Sequence, residues 1–480
     1  MAGRASRTRR RTEIHAPPNR YRFGGIRVGR FGAVPRRSLG ANYRKLFAAT
    51  TISNLGDGVG VIAYPWLASA ITRSPLLIAL VAVAQRLPWL LFTLPAGVIT
   101  DRHDRRTLMV GANAVRAVLT FAVAAAVLAR QGTIPAPDEV EQVVGTEWLL
   151  YVAVIVATLL LGVCEVLYDN SAQTFMPAIV EKPDLERANG RMFSAEMVAN
   201  QFIGPPLASL LLLVGFGLPM LFDAATFAAS AALVFAIVVT PRPPAATAEV
   251  VERRPWRSEA AEGFRWLWRH DVIRTLAISL GVLNLLGTMS TGLIVLFAQE
   301  VLTTSVTEFA LLSTAGAIGG VVGGWTASAV SKRLGSGGTL ALTLWGGSAT
   351  AILTGFTSSW LIAALLTSIT IYTAIMWNVI TVSFRQSVIP DRLLGRVNSV
   401  YRFFGWGAIP IGGLLGGLIV AALDGPFSRE VALRAPWIIA GAAQLVLAAV
   451  VGRKLTTARL EAARAASDEG NVRAAARAPR

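Results

Sequence analysis

The stretch Gly97-Val98-Ile99-Thr100-Asp101-Arg102-His103-Asp104-Arg105-Arg106 is a charged turn between two long apolar segments. Residues 76–100 and 107–129 flank it, and each can cross a hydrocarbon core of about 30 Å at roughly 1.5 Å per residue. A connection this short predicts two antiparallel helices that are neighbours. Gly97 is expected to allow close backbone approach, and Asp101 is expected where the helix dipole disfavours an anion. The turn therefore predicts a membrane-spanning helix pair in which Asp101 needs a cationic partner.

The composition of the whole chain agrees with a polytopic membrane protein. Of its 480 residues, 54% are hydrophobic and only 15% are charged, which excludes an array of water-soluble domains. Twelve apolar spans are predicted at residues 46–70, 76–100, 107–129, 148–172, 191–214, 218–240, 275–299, 306–329, 339–357, 360–383, 397–422 and 435–452. The expected fold is therefore an all-α membrane protein with twelve transmembrane helices.

The net charge of +17 follows the membrane topology. Of the 45 lysine and arginine residues, 38 fall on the side that holds both termini and only four on the other side. The positive-inside rule then predicts a multi-pass protein of the plasma (inner) membrane with both termini in the cytoplasm. This distribution argues against nucleic acid as a partner.

The spans divide the chain into five regions. Residues 1–45 are expected to form a disordered basic cytoplasmic tail, although an over-extended reading frame is an alternative explanation for the first 40. Residues 46–240 and 275–453 are expected to form two six-helix bundles. Residues 241–274 between them predict a cytoplasmic linker whose part from Ser258 to Arg274 is an amphipathic helix at the membrane surface, and 454–480 predict a second basic cytoplasmic tail.

The two halves repeat each other in the same orientation. Gln173-Thr174-Phe175-Met176-Pro177 after span 4 matches Gln386-Ser387-Val388-Ile389-Pro390 after span 10. Asn54-Leu55-Gly56 in span 1 has a counterpart in Asn284-Leu285-Leu286-Gly287 of span 7. Parallel repeats predict bundles related by a pseudo-two-fold axis along the membrane normal, with a substrate cavity between them.

The turn after span 2 resembles motif A of the major facilitator superfamily. Gly97, Asp101, Arg102, Arg105 and Arg106 fit that motif, although Asp104 stands where many members carry glycine. The resemblance implies the major facilitator fold and a conformational latch formed by these residues between the two halves. The alternative is a positive loop that serves topology alone.

Further segments resemble the drug:proton antiporter branch, which includes macrolide-efflux and enterobactin-exporter relatives. They are Ser53-Asn54-Leu55-Gly56-Asp57-Gly58, Gln85-Arg86-Leu87-Pro88 and Leu185-x-x-Ala188-Asn189. Gly204-Pro205-Pro206 in span 5 is similar to that branch's Gly-Pro antiporter motif, but the second proline and Ser209 depart from its glycine-rich continuation. The resemblance implies proton-coupled export.

Ionisable residues inside spans cost about 2.5–3.5 kcal/mol at a helix centre, so each needs a reason. Asp57, Arg86 and Arg116 lie at matched depth in spans 1 to 3 and predict a charge cluster, with a structural ion pair as the alternative. Glu165 and Asp169 share one face of span 4 and should not both ionise readily, which suits proton carriage. Glu196 and Asp223 are near span ends and are expected at the membrane interface.

The expected substrate cavity draws mainly on the second half, where neutral and aromatic groups predominate. Its candidates are Asn54, Asn284, Trp377, Asn378 and Arg402, with a purely packing role as the alternative for Trp377. The sequence thus predicts proton coupling in the first bundle and substrate contact in the second.

The function predicted from these features is secondary active transport, with proton-coupled efflux of a small amphipathic compound by alternating access. A metabolite importer, or a transport-inactive sensor or scaffold, is the alternative. The chain has no Walker A sequence, one cysteine (Cys164) and three histidines outside the spans, so neither an enzyme, a cofactor nor a metal site is expected. The expected partners are a small-molecule substrate, protons and the lipid bilayer, and the expected state is a monomer.

Overall fold

The computed structural model describes residues 38–130, 132–238 and 256–476. The expectations for residues 1–37, for the first part of the linker and for the last four residues lie outside these ranges. In the described ranges the structure is helical, without named strands.

The described part of the first half contains seven α-helices. They are α1 (Ala41–Ile71), α2 (Pro75–Arg102), α3 (Arg105–Ala129), α4 (Trp148–Ile179), α5 (Leu185–Met197), α6 (Gly204–Leu212) and α7 (Gly217–Phe235). Helices α5 and α6 are joined by a π-helical turn, Val198–Ile203, and together they form span 5.

Residues 256–476 of the second half contain eight α-helices. They are α8 (Trp256–Arg269), α9 (Asp271–Thr291), α10 (Ile294–Glu300), α11 (Val306–Phe356), α12 (Trp360–Val388), α13 (Asp391–Leu423), α14 (Arg429–Gly452) and α15 (Thr457–Ala476). Helices α9 and α10 together form span 7.

Among the residues that the structure describes, ten helical segments are long and apolar enough to cross a membrane. One of them, α11, is broken at Gly335, whose φ of 74° lies in the left-handed region that favours glycine. The break separates the two spans predicted at 306–329 and 339–357. With span 5, whose π-helical turn interrupts it, the described residues form twelve membrane-spanning segments in two six-helix bundles, as predicted.

The predicted amphipathic helix differs from the structure at one end. It stops at Arg269, because His270 has an extended backbone and its Nδ1 accepts a hydrogen bond of 3.4 Å from the Ile273 amide, which starts α9. Helix α8 packs on the start of α13, where Arg396 forms ion pairs with Glu259 and Glu262 at 2.8 and 2.6 Å.

The two bundles meet along α2 and α13 and along α6 and α11. We call the end that holds the Gly97–Arg106 turn the basic end, and the other the opposite end. The largest apolar core includes Val59 and Trp66 of the first bundle and Leu296, Phe297 and Trp437 of the second. It therefore belongs to both bundles.

Candidate functional site

The centre of the first bundle is an ion pair between Asp57 of α1 and Arg116 of α3. Arg116 is only 3% exposed, whereas the Asp57 side chain is 25% exposed. The guanidinium of Arg116 also lies 3.8 Å from the centroid of the Phe227 ring and 3.4 Å from the hydroxyl of Ser53. The predicted cluster therefore forms with Arg116, while Arg86 is exposed on α2.

Three carboxyl groups surround this guanidinium. Asp57, Glu165 and Asp223 line one small cavity of about 40 Å³ together with Arg116 and Tyr64. With all four groups ionised, the cavity would hold two uncompensated negative charges. Buried charges without a counter-charge are expensive, so these carboxyl groups compete for one guanidinium.

The expectation for Asp223 was wrong. It is 3% exposed, six residues into α7, and Gly56 of α1 packs against its carboxylate and Thr226. In the described structure its Oδ1 has no hydrogen-bond partner. The predicted span begins only five residues before Asp223, which suggested an interfacial position. Because α7 starts at Gly217 and rises about 1.5 Å per residue, Asp223 instead lies about 9 Å along the helix from its start. Glu196, by contrast, is exposed.

Glu165 and Asp169 both lie in α4, one turn apart. Glu165 lines the cavity. Its carboxyl group also interacts electrostatically with Arg86. Asp169 is half-buried one turn closer to the basic end and interacts electrostatically with Glu165. The two carboxyl groups thus extend from the cavity towards the basic end.

Span 5 crosses span 1 beside Asp57. A Cβ atom on Gly58 would lie 2.7 Å from the carbonyl oxygen of Asn200, and one on Gly204 would collide with the backbone of Gly58. Asn200 belongs to the π-helical turn, and Pro205 and Pro206 follow Gly204 directly. The Gly-Pro-Pro step therefore brings span 5 against the backbone of the acid-bearing helix.

The second bundle encloses a larger cavity of about 300 Å³. The structure brings together Asn284, Trp377 and Asn378 in its lining, with Thr288 and Gln444. Among its described lining residues none is charged. Arg402 is not one of them: it is exposed, with its guanidinium 5.2 Å from the Trp406 ring centroid. Asn54 lies apart in α1, where its amide donates to Thr50.

The predicted latch residues lie at the basic end of the first bundle. Arg105 donates to the Thr174 carbonyl at 2.9 Å, and Arg106 donates to the Phe235 carbonyl. These contacts reach α4 and α7 of the same bundle. Asp104 caps α3 by accepting from the Thr107 amide at 2.8 Å.

The predictions for the three other motif residues, Arg102, Gly97 and Asp101, have different outcomes. Arg102 is exposed. The close approach expected at Gly97 is not observed, because no described neighbour comes within 4 Å of the position of a Cβ atom. The side chain of Asp101 lies outside the described part of the structure, so its partner stays a prediction.

Sequence reasoning missed Asp223, Tyr64 and Phe227 as members of the first cavity. Gly56 could have indicated Asp223, because a glycine beside a span-6 acid leaves room for a buried carboxylate. The two aromatic residues give no comparable signal, since most aromatic side chains in such spans only pack.

Comparison with known proteins identifies the family. The sequence profile of the Major Facilitator Superfamily matches residues 46–407. The chain belongs to the major facilitator superfamily. No curated protein sequence matches it.

Solved structures of major facilitator transporters share the fold. The nucleoside transporter NupG is 13% identical with a TM-score of 0.63, covering 86% of this chain and 98% of that one. A bacterial homologue of the iron transporter ferroportin in its inward-facing state is 18% identical with a TM-score of 0.63, covering 86% and 100%. A bacterial homologue of the human lysosomal transporter Spinster, inward-facing and unoccupied, is 13% identical with a TM-score of 0.64, covering 89% and 97%. These likenesses show that the chain has the major facilitator fold.

Proposed function

We propose that this transporter is a secondary active exporter that exchanges protons for a small amphipathic compound. The observation that carries the proposal is the buried cavity in which three carboxyl groups face one guanidinium. A scaffold or sensor has no need for such a costly arrangement.

Proton coupling in this proposal uses the carboxyl groups around Arg116. Asp57 is the first candidate because it pairs with Arg116 and is partly exposed, so it can exchange protons as the cycle proceeds. When Asp57 binds a proton, its attraction to Arg116 falls, and the remaining acids compete for the guanidinium. Protonation therefore changes the contacts between α1, α3 and α7. Glu165 and Asp169 would connect the cavity to the basic end.

The compound binds in the second bundle in this proposal. A cavity of about 300 Å³ is at the lower end of the range for small-molecule sites. Its uncharged lining favours an uncharged ligand that makes hydrogen bonds through hydroxyl or amide groups. Exchange of one inward proton for one outward uncharged molecule would move one positive charge into the cell in each cycle. The membrane potential would then drive export together with the pH gradient.

The proposed orientation places the basic end in the cytoplasm and the opposite end outside the plasma membrane. The 38-to-4 distribution of basic residues supports it. Motif A then lies on the cytoplasmic side. In this orientation export is movement from the basic end to the opposite end.

The test uses purified protein in vesicles that contain a pH-sensitive dye. Candidate compounds come from comparing secreted metabolites and drug susceptibility of a deletion strain and its parent. We expect an inward proton gradient to drive export by the native protein and not by Asp57→Asn, while both bind the compound. Asp138→Asn, on an exposed loop residue, is the matched control and should transport normally. Gradient-driven export that survives in Asp57→Asn and in the Glu165→Gln/Asp169→Asn double variant would overturn proton coupling through these acids.

Import of a metabolite is the second candidate, because the uncharged cavity would suit a polar, neutral nutrient as well. The same vesicles separate the two directions: an importer would accumulate the compound on the basic side. A transport-inactive protein would move neither protons nor compound.

A further inference from the structure

Three side-chain amides line the uncharged cavity of the second bundle, and each turns its nitrogen towards a backbone carbonyl oxygen. The Asn284 Nδ2 atom donates to the Gly405 carbonyl of α13 at 2.9 Å. The Asn378 Nδ2 atom donates to a carbonyl one turn earlier in α12 at 3.2 Å, and the Gln444 Nε2 atom donates to a carbonyl of α11 at 3.5 Å.

These bonds determine which end of each amide is free. A backbone carbonyl oxygen can only accept a hydrogen bond, so the atom that faces it must be the amide nitrogen. The carbonyl oxygens of Asn284, Asn378 and Gln444 accept no hydrogen bond from the residues that the structure describes. A ligand in the cavity therefore meets three amide oxygens with free lone pairs.

The hydroxyl groups of the lining add acceptors in the same way. A hydroxyl has one proton, and each of these six lies within 3.0 Å of a backbone carbonyl oxygen that accepts it. They belong to Thr288, Ser290, Thr291, Thr343, Thr370 and Thr373. The donors that remain are the second N–H of each amide and the indole N–H groups of Trp377 and Trp437. The lining is therefore richer in acceptors than in donors.

The parallel repeat places one of the amides at the position of an acid in the first bundle. Asn378 lies eight residues before Gln386, and Glu165 lies eight residues before Gln173, the first residues of the matching Gln-to-Pro segments. Each of the two lines the cavity of its own bundle. An acceptor oxygen is thus common to both positions, whereas the charge is confined to the first bundle.

Acceptor oxygens and a neutral lining together define a class of ligand. A carboxylate or phosphate would bring a negative charge against the amide oxygens, and no described lining residue is a lysine or arginine that could compensate it. A cation would be accepted by the oxygens but would lose its hydration without gaining a counter-charge. A neutral compound with N–H or O–H groups avoids both costs, and its apolar part can pack on Trp377 and Trp437.

We propose that Asn284, Asn378 and Gln444 select the compound by accepting hydrogen bonds from it, so that the ligands are neutral compounds rich in N–H or O–H donors. The inference rests on the proposed function in one respect, since it takes the uncharged cavity as the site of the compound. It does not depend on the direction of transport or on which acid carries the proton.

Binding to the purified protein in nanodiscs tests the class without any gradient. The probes are two-ring aromatic compounds, each prepared as a primary amide with N–H donors, as the N,N-dimethyl amide without donors, as a carboxylate and as an aminomethyl cation. Ligand-observed NMR measures binding, and empty nanodiscs correct for partition into lipid. We expect the primary amides to bind about tenfold more tightly than the dimethyl amides and more tightly than either charged form. Equal binding of the two amides, or tighter binding of a charged form, would overturn the proposal.

Asn378→Leu tests the acceptor itself, because leucine is of similar size and has no polar atom. Asn170→Leu is the matched control: its amide also donates to a carbonyl one turn earlier, that of Val166 at 2.8 Å, and it lines neither cavity. We expect Asn378→Leu to weaken primary-amide binding about tenfold and to leave dimethyl-amide binding unchanged. Asn170→Leu should change neither.

The variant also separates hydrogen bonding from size. If the dimethyl amides bind poorly because they are bulky, the primary amides keep their affinity in Asn378→Leu, and the proposal is wrong. Where Asn378→Leu fails to fold, the four forms of each probe on the native protein decide. Loss of gradient-driven export with the amide preference intact would overturn the proton exchange and leave the ligand class. Export that survives with no amide preference would overturn the ligand class alone.

Discussion

Arg116 is the residue on which the buried cluster of the first bundle depends. It is the guanidinium that faces Asp57, Glu165 and Asp223 in one cavity, and it stacks on Phe227. An arginine is suited to this position because its planar group stays charged while several oxygen atoms and a ring face contact it. Removing it leaves carboxyl groups without a counter-charge, whereas removing one acid leaves two others. The cluster should therefore tolerate the loss of one acid better than the loss of Arg116.

We predict that Arg116→Gln is less stable than Asp57→Asn. Loss of one partner from a buried pair costs about 3–5 kcal/mol when the other charge stays uncompensated. In Asp57→Asn, the guanidinium keeps Asp223 and Glu165 in its cavity, so we expect a smaller loss. Thermal unfolding of the purified variants in one detergent measures the difference. Equal melting temperatures, or a less stable Asp57→Asn, would contradict the asymmetry.

At the scale of elements, the crossing of spans 1 and 5 decides how closely Asp57 is surrounded. The crossing has no room for side chains at Gly58 and Gly204. The π-helical turn before Gly204 leaves part of the regular helix ladder unmade, a feature often found at functional sites. Pro205 and Pro206 restart the helix, where missing amide hydrogens at its first positions cost little. Backbone packing therefore positions the acid.

We predict that Gly58→Ala destabilises the protein by about 1–3 kcal/mol, because its Cβ would overlap the Asn200 backbone. Gly111→Ala is the matched control: it lies in α3 with open space around it and should be neutral or slightly stabilising, since alanine favours helix. Melting temperatures of the two variants check the prediction. If both shift equally, the crossing is looser than described.

We also predict that Asp101→Asn slows transport more than it weakens binding. Motif A at this turn predicts a latch between conformations, and conformational steps often limit turnover in such proteins. Initial rates and substrate affinity in vesicles, with Asp104→Asn as a comparison for the cap of α3, measure the effect. Wild-type turnover would leave only a topogenic role for the turn.

At the scale of the whole molecule, charge and polarity are divided between the bundles. The acid cavity lies in the first bundle and the uncharged cavity in the second. Both lie within one compact unit whose core crosses the interface. Movement of the bundles can therefore link two sites that share no lining residue.

We predict that the loop between α3 and α4 is outside the cell. A cysteine at Glu139, in a Cys164→Ser background, should react with an impermeant maleimide in intact cells. A cysteine at exposed Arg265 of α8 should react only after permeabilisation. The reverse pattern would invert the proposed topology and, with it, the direction of export.

The sequence alone was sufficient for the helices, the twelve crossings and the family. These depend on runs of apolar residues, on the charged turn at 97–106 and on the parallel repeat, all of which are local properties or comparisons along the chain. It also identified Asp57, Arg116 and Glu165, because an ionisable residue within an apolar span is costly wherever it points.

Only the tertiary structure decided which of these residues meet. It paired Asp57 with Arg116 rather than Arg86, and it buried Asp223 against Gly56. It also joined Arg73 to Glu300, residues 227 positions apart in the chain. The physical reason is that hydropathy fixes how deep a residue lies but not the direction in which it faces. That direction depends on how each helix rotates and where glycine lets two backbones approach.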